Sequence, residues 1–355
     1  MGNVKHLAAR SLIQQRLFDG ITEFRDLEAR ITALETEQER GNAFEVFAEA
    51  YLTTQPVAQA KEVWPEKVIP PSLRKRLSLH STDVGADGVI ETQTGQLHGY
   101  QVKYRSHRAS LKWTETATFF GVTDRCDQRF LFTNSDDVSA VMEQRKDFYC
   151  IRGNDLDKLE ARDFAAMAAW LRGSIVPRVR KQPQPHQQEA LDVILPALDK
   201  SDRATAIMAC GTGKTLVALW VAEQAKSRNV LVLVPSLALL RQTLHEWLRE
   251  TQWRDFAYLC VCSDPTVDAG TDELIVRQAD LDFPVTTDPG IVHRFLEGEA
   301  PAEPPVKIVF STYQSAREVA RGLPEKFASP SLTKRIKRLA VKDAHLASPS
   351  KIIIF

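Results

Sequence analysis

Two groups of residues in this 355-residue chain have types and spacings suited to chemistry on phosphate. The first is Ala209-Cys210-Gly211-Thr212-Gly213-Lys214-Thr215. Its glycines let backbone N–H groups approach phosphate oxygens, and a following helix adds its positive end. Lys214 can reach the β- and γ-phosphates of a nucleotide, and the Thr215 hydroxyl can bind Mg²⁺. Met208 stands where the first glycine of the full G-x-x-x-x-G-K-[ST] pattern would be, so a glycine turn ahead of Lys-Thr is the alternative reading. The second group is Asp83-Val84-Gly85-Ala86-Asp87 on one strand and Gln101-Val102-Lys103 on the next. A strand-borne carboxylate beside an x-Lys pair suits metal-assisted phosphodiester hydrolysis, with the acid holding Mg²⁺ and the lysine orienting or activating water. Gln101 and Lys103 lie two apart and so project from one face of their strand. A hairpin with a tight D-x-G turn and a solvated edge is the alternative here.

The elements that must position these groups follow from periodicity. Apolar residues recur at helical spacing in "HLAARSLIQQRLF" and "NAFEVFAEAYL", which predicts helices over 3–53. Alternation in "GADGVIETQTGQLHGYQVKYR" predicts two strands joined by a turn at Thr94-Gly95, then a helix near 111 to 121 and the strand "RFLFTNS". The segment "RGSIVPRVRKQPQPHQQ" holds prolines and basic residues with little periodicity and reads as a linker. Beyond it "TAIMA", "NVLVLVP", "FAYLCVC" and "VKIVFST" read as strands alternating with helices from Gly213, Leu237 and Tyr313, with a further helix from Ile291. That order predicts a parallel sheet covered on both faces.

Composition narrows the classes. With 43% hydrophobic and 26% charged residues the chain reads as globular, and 46 basic against 46 acidic residues leave no global field to attract nucleic acid. Any such partner must be held locally. "KYRSHR", from Lys103 to Arg108, suits backbone contacts to DNA and equally suits a solvated loop. No apolar run reaches the roughly 20 residues that span a bilayer, and no signal-peptide core opens the chain, which predicts a cytoplasmic protein. Five cysteines show no zinc spacing. Cys260 and Cys262 alternate with apolar residues, as in a buried strand.

The loop resembles that of the superfamily 2 DNA helicases and translocases, A-x-G-x-G-K-T. Other matches fall in the same order: "PHQQEA" from Pro185, "PSL" at Pro235 with Gln242, and "STYQS" from Ser311. The resemblance implies that Gln187 reads the adenine edge, that Gly211, Thr212, Gly213, Lys214 and Thr215 bind ATP and Mg²⁺, and that "STYQS" touches the nucleic-acid backbone. The earlier group resembles the PD-(D/E)xK nuclease fold in its Mrr-like variant, where the second acid is commonly glutamine. That implies Asp87 as principal metal ligand, Glu45 of "GNAFE" as a helix-borne acid completing the Mg²⁺ site, Gln101 beside them, and Lys103 as catalytic lysine, with Asp83 less directly involved. Over most of 39–320 the order of segments resembles the Type ISP-like restriction enzymes.

The resemblance implies an α/β chain: a helical segment over 1–38, a restriction-endonuclease-like α/β domain over 39–172, a linker with the glutamine segment over 173–188, and an incomplete RecA-like parallel-sheet domain over 189–328. It implies the N-terminal part of a deoxyribonuclease coupled to an ATP-dependent helicase-type motor acting on double-stranded DNA. A DNA- and ATP-binding module without catalysis, and a repair helicase with an accessory nuclease fold, are the other readings.

Motif II of that family, Asp-Glu-x-His or similar, is missing after "STYQS", and from Ser329 the text turns basic and loses strand periodicity. Permitted codons for residues 327–340 become "FDLAIFDEAHKTAG" when one base is inserted after the first base of codon 328. We therefore expect a one-base deletion there, a frameshifted tail over 329–355, weak nucleotide binding and lost motor activity. The apolar end "IIIF" reads as an aggregation liability.

Overall fold

The computed structural model describes residues 4–79, 85–145, 147–175, 179–201, 204–263, 277–298 and 306–327. Asp83, the prolines at 301, 304 and 305, and the whole of 329–355 lie outside the described residues. The chain divides into two compact units, Met1–Arg178 with Ala279–Pro284, and Val179–Gln278 with Val285–Phe355.

The first unit begins with α1 (Ala9–Gln14), α2 (Phe24–Thr32) and α3 (Glu37–Thr54). It continues with β1 (Ala60–Pro65), α4 (Pro71–Leu77), β2 (Gly88–Thr92), β3 (Leu97–Lys103), α5 (Ala117–Val122), β4 (Gln128–Thr133), α6 (Ala140–Glu143), β5 (Phe148–Ile151), α7 (Gly153–Leu156) and α8 (Ala161–Leu171). The strands form one sheet in the order β1-β2-β3-β4-β5. β1, β2 and β3 pair antiparallel, whereas β3, β4 and β5 pair parallel.

Local sequence accounts for the parts that matter to the site. Thr36 and Glu39 form a reciprocal capping box that starts α3, each side chain accepting from the other residue's backbone N–H. The apolar side of α3 then meets the sheet: Phe44, Phe47 and Tyr51 surround Phe132 of β4 with ring centroids 5.2, 5.8 and 5.3 Å away. The β2–β3 turn uses Gly95 at φ +79°, where a side chain would be strained. At Gly88 even a methyl group would meet the Tyr100 hydroxyl at 2.3 Å, so the ring of Tyr100 fits only against a bare backbone. The helix expected near 111 to 121 is broken into a 3₁₀ turn at Trp113–Glu115 and α5, because the Thr116 backbone leaves the helical region.

The basic run after β3 is largely committed within this unit. Arg105 pairs with Glu115, and the buried Arg108 guanidinium bonds Glu28, Asp136 and Asp157. Against the upward pull of burial, the Arg108 and Arg25 guanidinium groups hold Asp157 below the usual carboxylate range. The Tyr104 hydroxyl meets Thr32 at 2.5 Å. Neither the DNA-contact nor the solvated-loop reading describes Arg105 and Arg108, which are committed to ion pairs within the unit. Residues Ala279–Pro284 complete the unit: Arg152 donates to the Ala279 carbonyl at 3.0 Å and to Glu143 at 2.9 Å, and Leu281 and Phe283 are buried.

The second unit contains α9 (Pro185–Lys200), α10 (Lys214–Gln224), β6 (Asn229–Val234), α11 (Leu237–Glu250), β7 (Phe256–Val261), β8 (Val285–Thr286), α12 (Pro289–Glu297), β9 (Val306–Thr312) and α13 (Ala316–Arg321). Its sheet has the order β6-β9-β7-β8 and is parallel throughout. Leu231, Leu233 and Val309 pack with Val292 and Leu296 of α12 and Val319 of α13. The next residue of β9, Phe310, turns the opposite way to Trp247 of α11, with ring centroids 5.7 Å apart. Helices therefore cover both faces, as the alternating pattern predicts.

One expected strand is missing. Residues 204–209, which include "TAIMA", take no strand conformation, and Ile207 is 95% exposed. An apolar pentapeptide becomes a strand only when a neighbour supplies its ladder hydrogen bonds, and no described strand pairs with it. Cys260 and Cys262 are buried as expected for a strand and its end.

Candidate functional site

In the second unit the glycine loop joins that irregular segment to α10. Gly211 and Gly213 adopt φ of +78° and +76°, and Gly213 is the N-cap of α10. A Cβ at Gly213 would lie 2.3 Å from Gln187 Nε2, so this glycine is required by close approach as well as by conformation. Gln187 is buried, donates from Nε2 to the Thr212 carbonyl at 2.9 Å, and accepts at Oε1 from the Gln184 backbone N–H at 2.9 Å. It ties the start of α9 to the loop, with one Nε2 donor and one Oε1 lone pair used in doing so.

The loop also satisfies itself. Lys214 Nζ donates to the carbonyls of Ala209 at 2.8 Å and Met208 at 3.3 Å, and Thr212 Oγ1 donates to Ala209 at 2.7 Å. Two of the three ammonium donors are thus taken up by the loop's own carbonyls. Thr215 sits in the first turn of α10, and its carbonyl accepts from Trp247 Nε1 at 2.9 Å, which anchors the helix start to α11. Of the other motif residues, Ser236 caps α11 by accepting from the Leu239 N–H at 3.3 Å. Ser311 and Thr312 are buried, whereas Gln314 is exposed.

In the first unit the expected nuclease residues gather around the β2–β3 pair. Asp87 immediately precedes β2 rather than lying within it, yet its N–H donates to the Tyr100 carbonyl at 2.9 Å and its Oδ2 accepts from the Val102 N–H at 2.6 Å. Gln101 on β3 is buried and donates from Nε2 to the Gly85 carbonyl at 2.5 Å. Its Oε1 is buried with no partner among the described residues. An amide oxygen left so costs free energy unless something binds it. Lys103, two residues on, is half-buried.

Glu45 approaches from α3, with Glu49 one turn further on. Glu49 is almost fully buried, and burial raises its carboxyl above the ordinary range although the backbone N–H groups of Lys5 and His6 donate to it at 2.7 and 3.0 Å. Glu49, Asp87 and Glu45 all act on the buried Tyr100 phenol, whose ionisation is suppressed first by burial and then by these three carboxylates. They therefore share one neighbourhood. Sequence reasoning missed Glu49 and His6. The signal for Glu49 was a charge inside the apolar run "AFEVFAEAYL", four residues after Glu45 and so on the same helical face. For His6, 39 positions before Glu45, the sequence holds no signal.

The donors available to a metal are carboxylates and one amide oxygen, a set that fits Mg²⁺. Among the described residues no group of three or more His, Cys, Asp and Glu side chains could hold a metal ion, and the unpartnered Gln101 Oε1 is a further oxygen donor in the same neighbourhood. Among those residues, too, no helix is long and apolar enough to cross a membrane.

Comparison with known proteins adds the following. Residues 180–347 match the family described as "Type III restriction enzyme, res subunit". The "Probable helicase A859L" of two African swine fever virus isolates is 34% identical over 131 residues and 32% identical over 132, covering 37% of this chain. The chain spans about 14% of the length of those relatives. Among solved structures, one described as "ATP-dependent Type ISP restriction-modification enzyme LlaBIII bound to DNA" is similar over 87% of this chain, with a TM-score of 0.69 and 25% identity. This chain covers 20% of that one.

Proposed function

We propose that the chain carries the cutting and translocating modules of a DNA restriction or defence enzyme. In this reading a Mg²⁺-dependent endonuclease over 39–172, with helices over 1–38 beside it, is joined through 173–188 to an ATP-dependent helicase-type domain over 189–328. Double-stranded DNA is the substrate, and the setting is cytoplasmic. The observation that carries the reading is the reach of the LlaBIII likeness, which at 87% of the chain is more than either unit provides alone.

Glu45, Asp87 and Gln101 would hold Mg²⁺, which when bound offers Lewis-acid stabilisation of the charge that builds on a phosphodiester. Lys103, on the same strand face as Gln101, orients a water and holds or releases its proton. The backbone hydrogen bond to Asp87 Oδ2 fixes that carboxylate before substrate arrives. In the helicase-like domain Lys214 exchanges the Ala209 and Met208 carbonyls for the phosphates of ATP. The N–H groups of Gly213 and of the first turn of α10 would hold the same phosphates, and the Thr215 hydroxyl would hold the accompanying Mg²⁺.

Cleavage of unmodified plasmid DNA in Mg²⁺, with and without ATP, tests the nuclease assignment. The expected result is metal-dependent cleavage that disappears in Asp87→Ala; cleavage that survives this change overturns it. A second reading, a DNA- and ATP-binding module without catalysis, is favoured by the lack of a metal-holding group of three acidic, His or Cys side chains among the described residues. DNA binding with no cleavage, unchanged by Asp87→Ala and Lys103→Ala, would select it.

The missing motif II belongs to the same proposal. A single deleted base in codon 328 converts "FDLAIFDEAHKTAG" into the present text, and the motor of this chain is then inactive. The family match continues to residue 347, across part of the segment read as out of frame, and this stands against the deletion. Sequencing the coding DNA decides: the alternative frame must spell the DEAH segment, and any other reading there removes the proposal.

A further inference from the structure

The N-terminal segment before α1 is bound to α3 at two carboxylates. The Lys5 and His6 backbone N–H groups donate to Glu49, and the His6 ring meets Glu45, with Nε2 to Oε2 at 2.8 Å. The tautomer follows from the other ring nitrogen. Nδ1 lies 3.2 Å from the Ala8 backbone nitrogen, which can only donate, so Nδ1 accepts and the ring proton resides on Nε2. His6 therefore donates to one oxygen of Glu45. Its ring is mostly buried, with 14% of the side chain exposed, and Glu49 holds the backbone beneath it, so the ring is fixed at both ends. Lys5 adds a third anchor, with Nζ donating to the Val63 carbonyl at 2.8 Å and pairing with Glu62.

We propose that His6 is a positioning residue for the nuclease site: by donating from Nε2 to Glu45 Oε2 it fixes the rotamer of the helix-borne acid and leaves the other oxygen to meet Mg²⁺. This inference rests on the nuclease reading above. Glu45 retains 31% of its side-chain exposure, and its carboxylate has rotamer freedom that costs metal affinity unless a partner removes it. Orienting partners of this kind typically contribute 10–100-fold in metal affinity or activity. His6 touches neither DNA nor metal in this assignment, and Glu49 secures the strap that carries it.

The test measures Mn²⁺ binding to the full chain by calorimetry, together with Mn²⁺-dependent plasmid cleavage, for the wild type, Asp87→Ala, Glu45→Ala, His6→Ala, His6→Gln and the Glu45→Ala/His6→Ala double variant. Far-ultraviolet circular dichroism verifies the fold of each. We expect His6→Ala to weaken Mn²⁺ binding about tenfold or more and to slow cleavage in parallel. His6→Gln, which keeps an N–H donor, should recover part of both, and His6→Ala should add nothing once Glu45 is gone. Wild-type affinity in His6→Ala, or a full additional loss in the Glu45→Ala background, overturns the positioning role while leaving the nuclease reading intact. No Mn²⁺ binding by the wild type, or binding unchanged by Asp87→Ala, overturns the nuclease reading and this inference with it.

Discussion

In the first unit Asp87 and Gln101 sit at the β2–β3 pair of a five-stranded sheet, and each is tied to backbone, Asp87 Oδ2 by the Val102 N–H and Gln101 Nε2 by the Gly85 carbonyl. In the second unit the glycine loop follows an exposed segment that belongs to no strand, and Lys214 binds the loop's own carbonyls. Preorganisation separates the two regions. Asp87 and Gln101 are held by backbone outside their own loop, whereas Lys214 Nζ is held by two carbonyls of the loop that precedes it. The motif that is easier to see in the sequence is thus the one with less structural support.

The contrast can be broken or sharpened experimentally. The largest effect is expected from Phe132→Ala, which empties the centre of the aromatic cluster under α3. It should cost about 3–5 kcal/mol in urea unfolding of the full chain followed by tryptophan fluorescence. A cost below about 1 kcal/mol would mean that the first unit is as loosely supported as the loop.

Acid should act next, through His98. Burial lowers its pKa to about 4 from an ordinary 6.5, so the folded state disfavours the charged ring. The stabilisation is complete above pH 6.5 and is lost as pH falls towards 4. It amounts to about 3 kcal/mol between those limits. Chemical denaturation at pH 7 and pH 4.5 should show the loss, and His98→Asn should remove most of the pH dependence within that window. An unchanged slope in His98→Asn would show that the buried carboxyls, Glu49 and Glu223 among them, and not this ring, set the pH dependence.

Lys103→Ala should slow Mg²⁺-dependent cleavage about 100-fold or more while leaving DNA binding within a few-fold, because a group that handles a proton acts on the reaction step. Equal losses in binding and cleavage would instead make Lys103 a DNA contact. Lys214→Ala should weaken ATP binding by about tenfold, less than a charge-assisted hydrogen bond usually contributes in a preformed site, since the wild-type ammonium first gives up Ala209 and Met208. Fluorescent nucleotide titration measures this. At the small end, Ile207→Ala should change stability by no more than about 0.5 kcal/mol, since the side chain is exposed. A larger loss would show that residues 204–209 pair as a strand after all.

What was legible in the sequence was what repeats locally. Alternation located β2, β3 and β7, apolar runs located β6 and β9, helical spacing located α3, and glycines before Lys-Thr located a loop with two positive φ angles and the start of α10. Period and backbone freedom are properties of a few consecutive residues, so the text carries them. The strand expected in "TAIMA" failed because a strand also needs a neighbour, and pairing is not a local property. The same limit explains the basic run after β3: its charges are visible in the text, but the carboxylates of Glu28, Asp136 and Asp157 that occupy Arg108 are not.

The sequence by itself determined the two kinds of phosphate chemistry to look for and the α/β elements that carry them. Only the tertiary structure decided which groups share a site. It brought the carboxylates of Glu45 and Glu49 from a helix and that of Asp87 from a strand end to one buried phenol. It left a Gln101 oxygen without a described partner beside them, and it laid His6 on Glu45. The physical reason is that hydrogen bonds and charges act through space over a few ångströms, while the residues that supply them here, from His6 to Gln101, are separated along the chain by up to 95 positions.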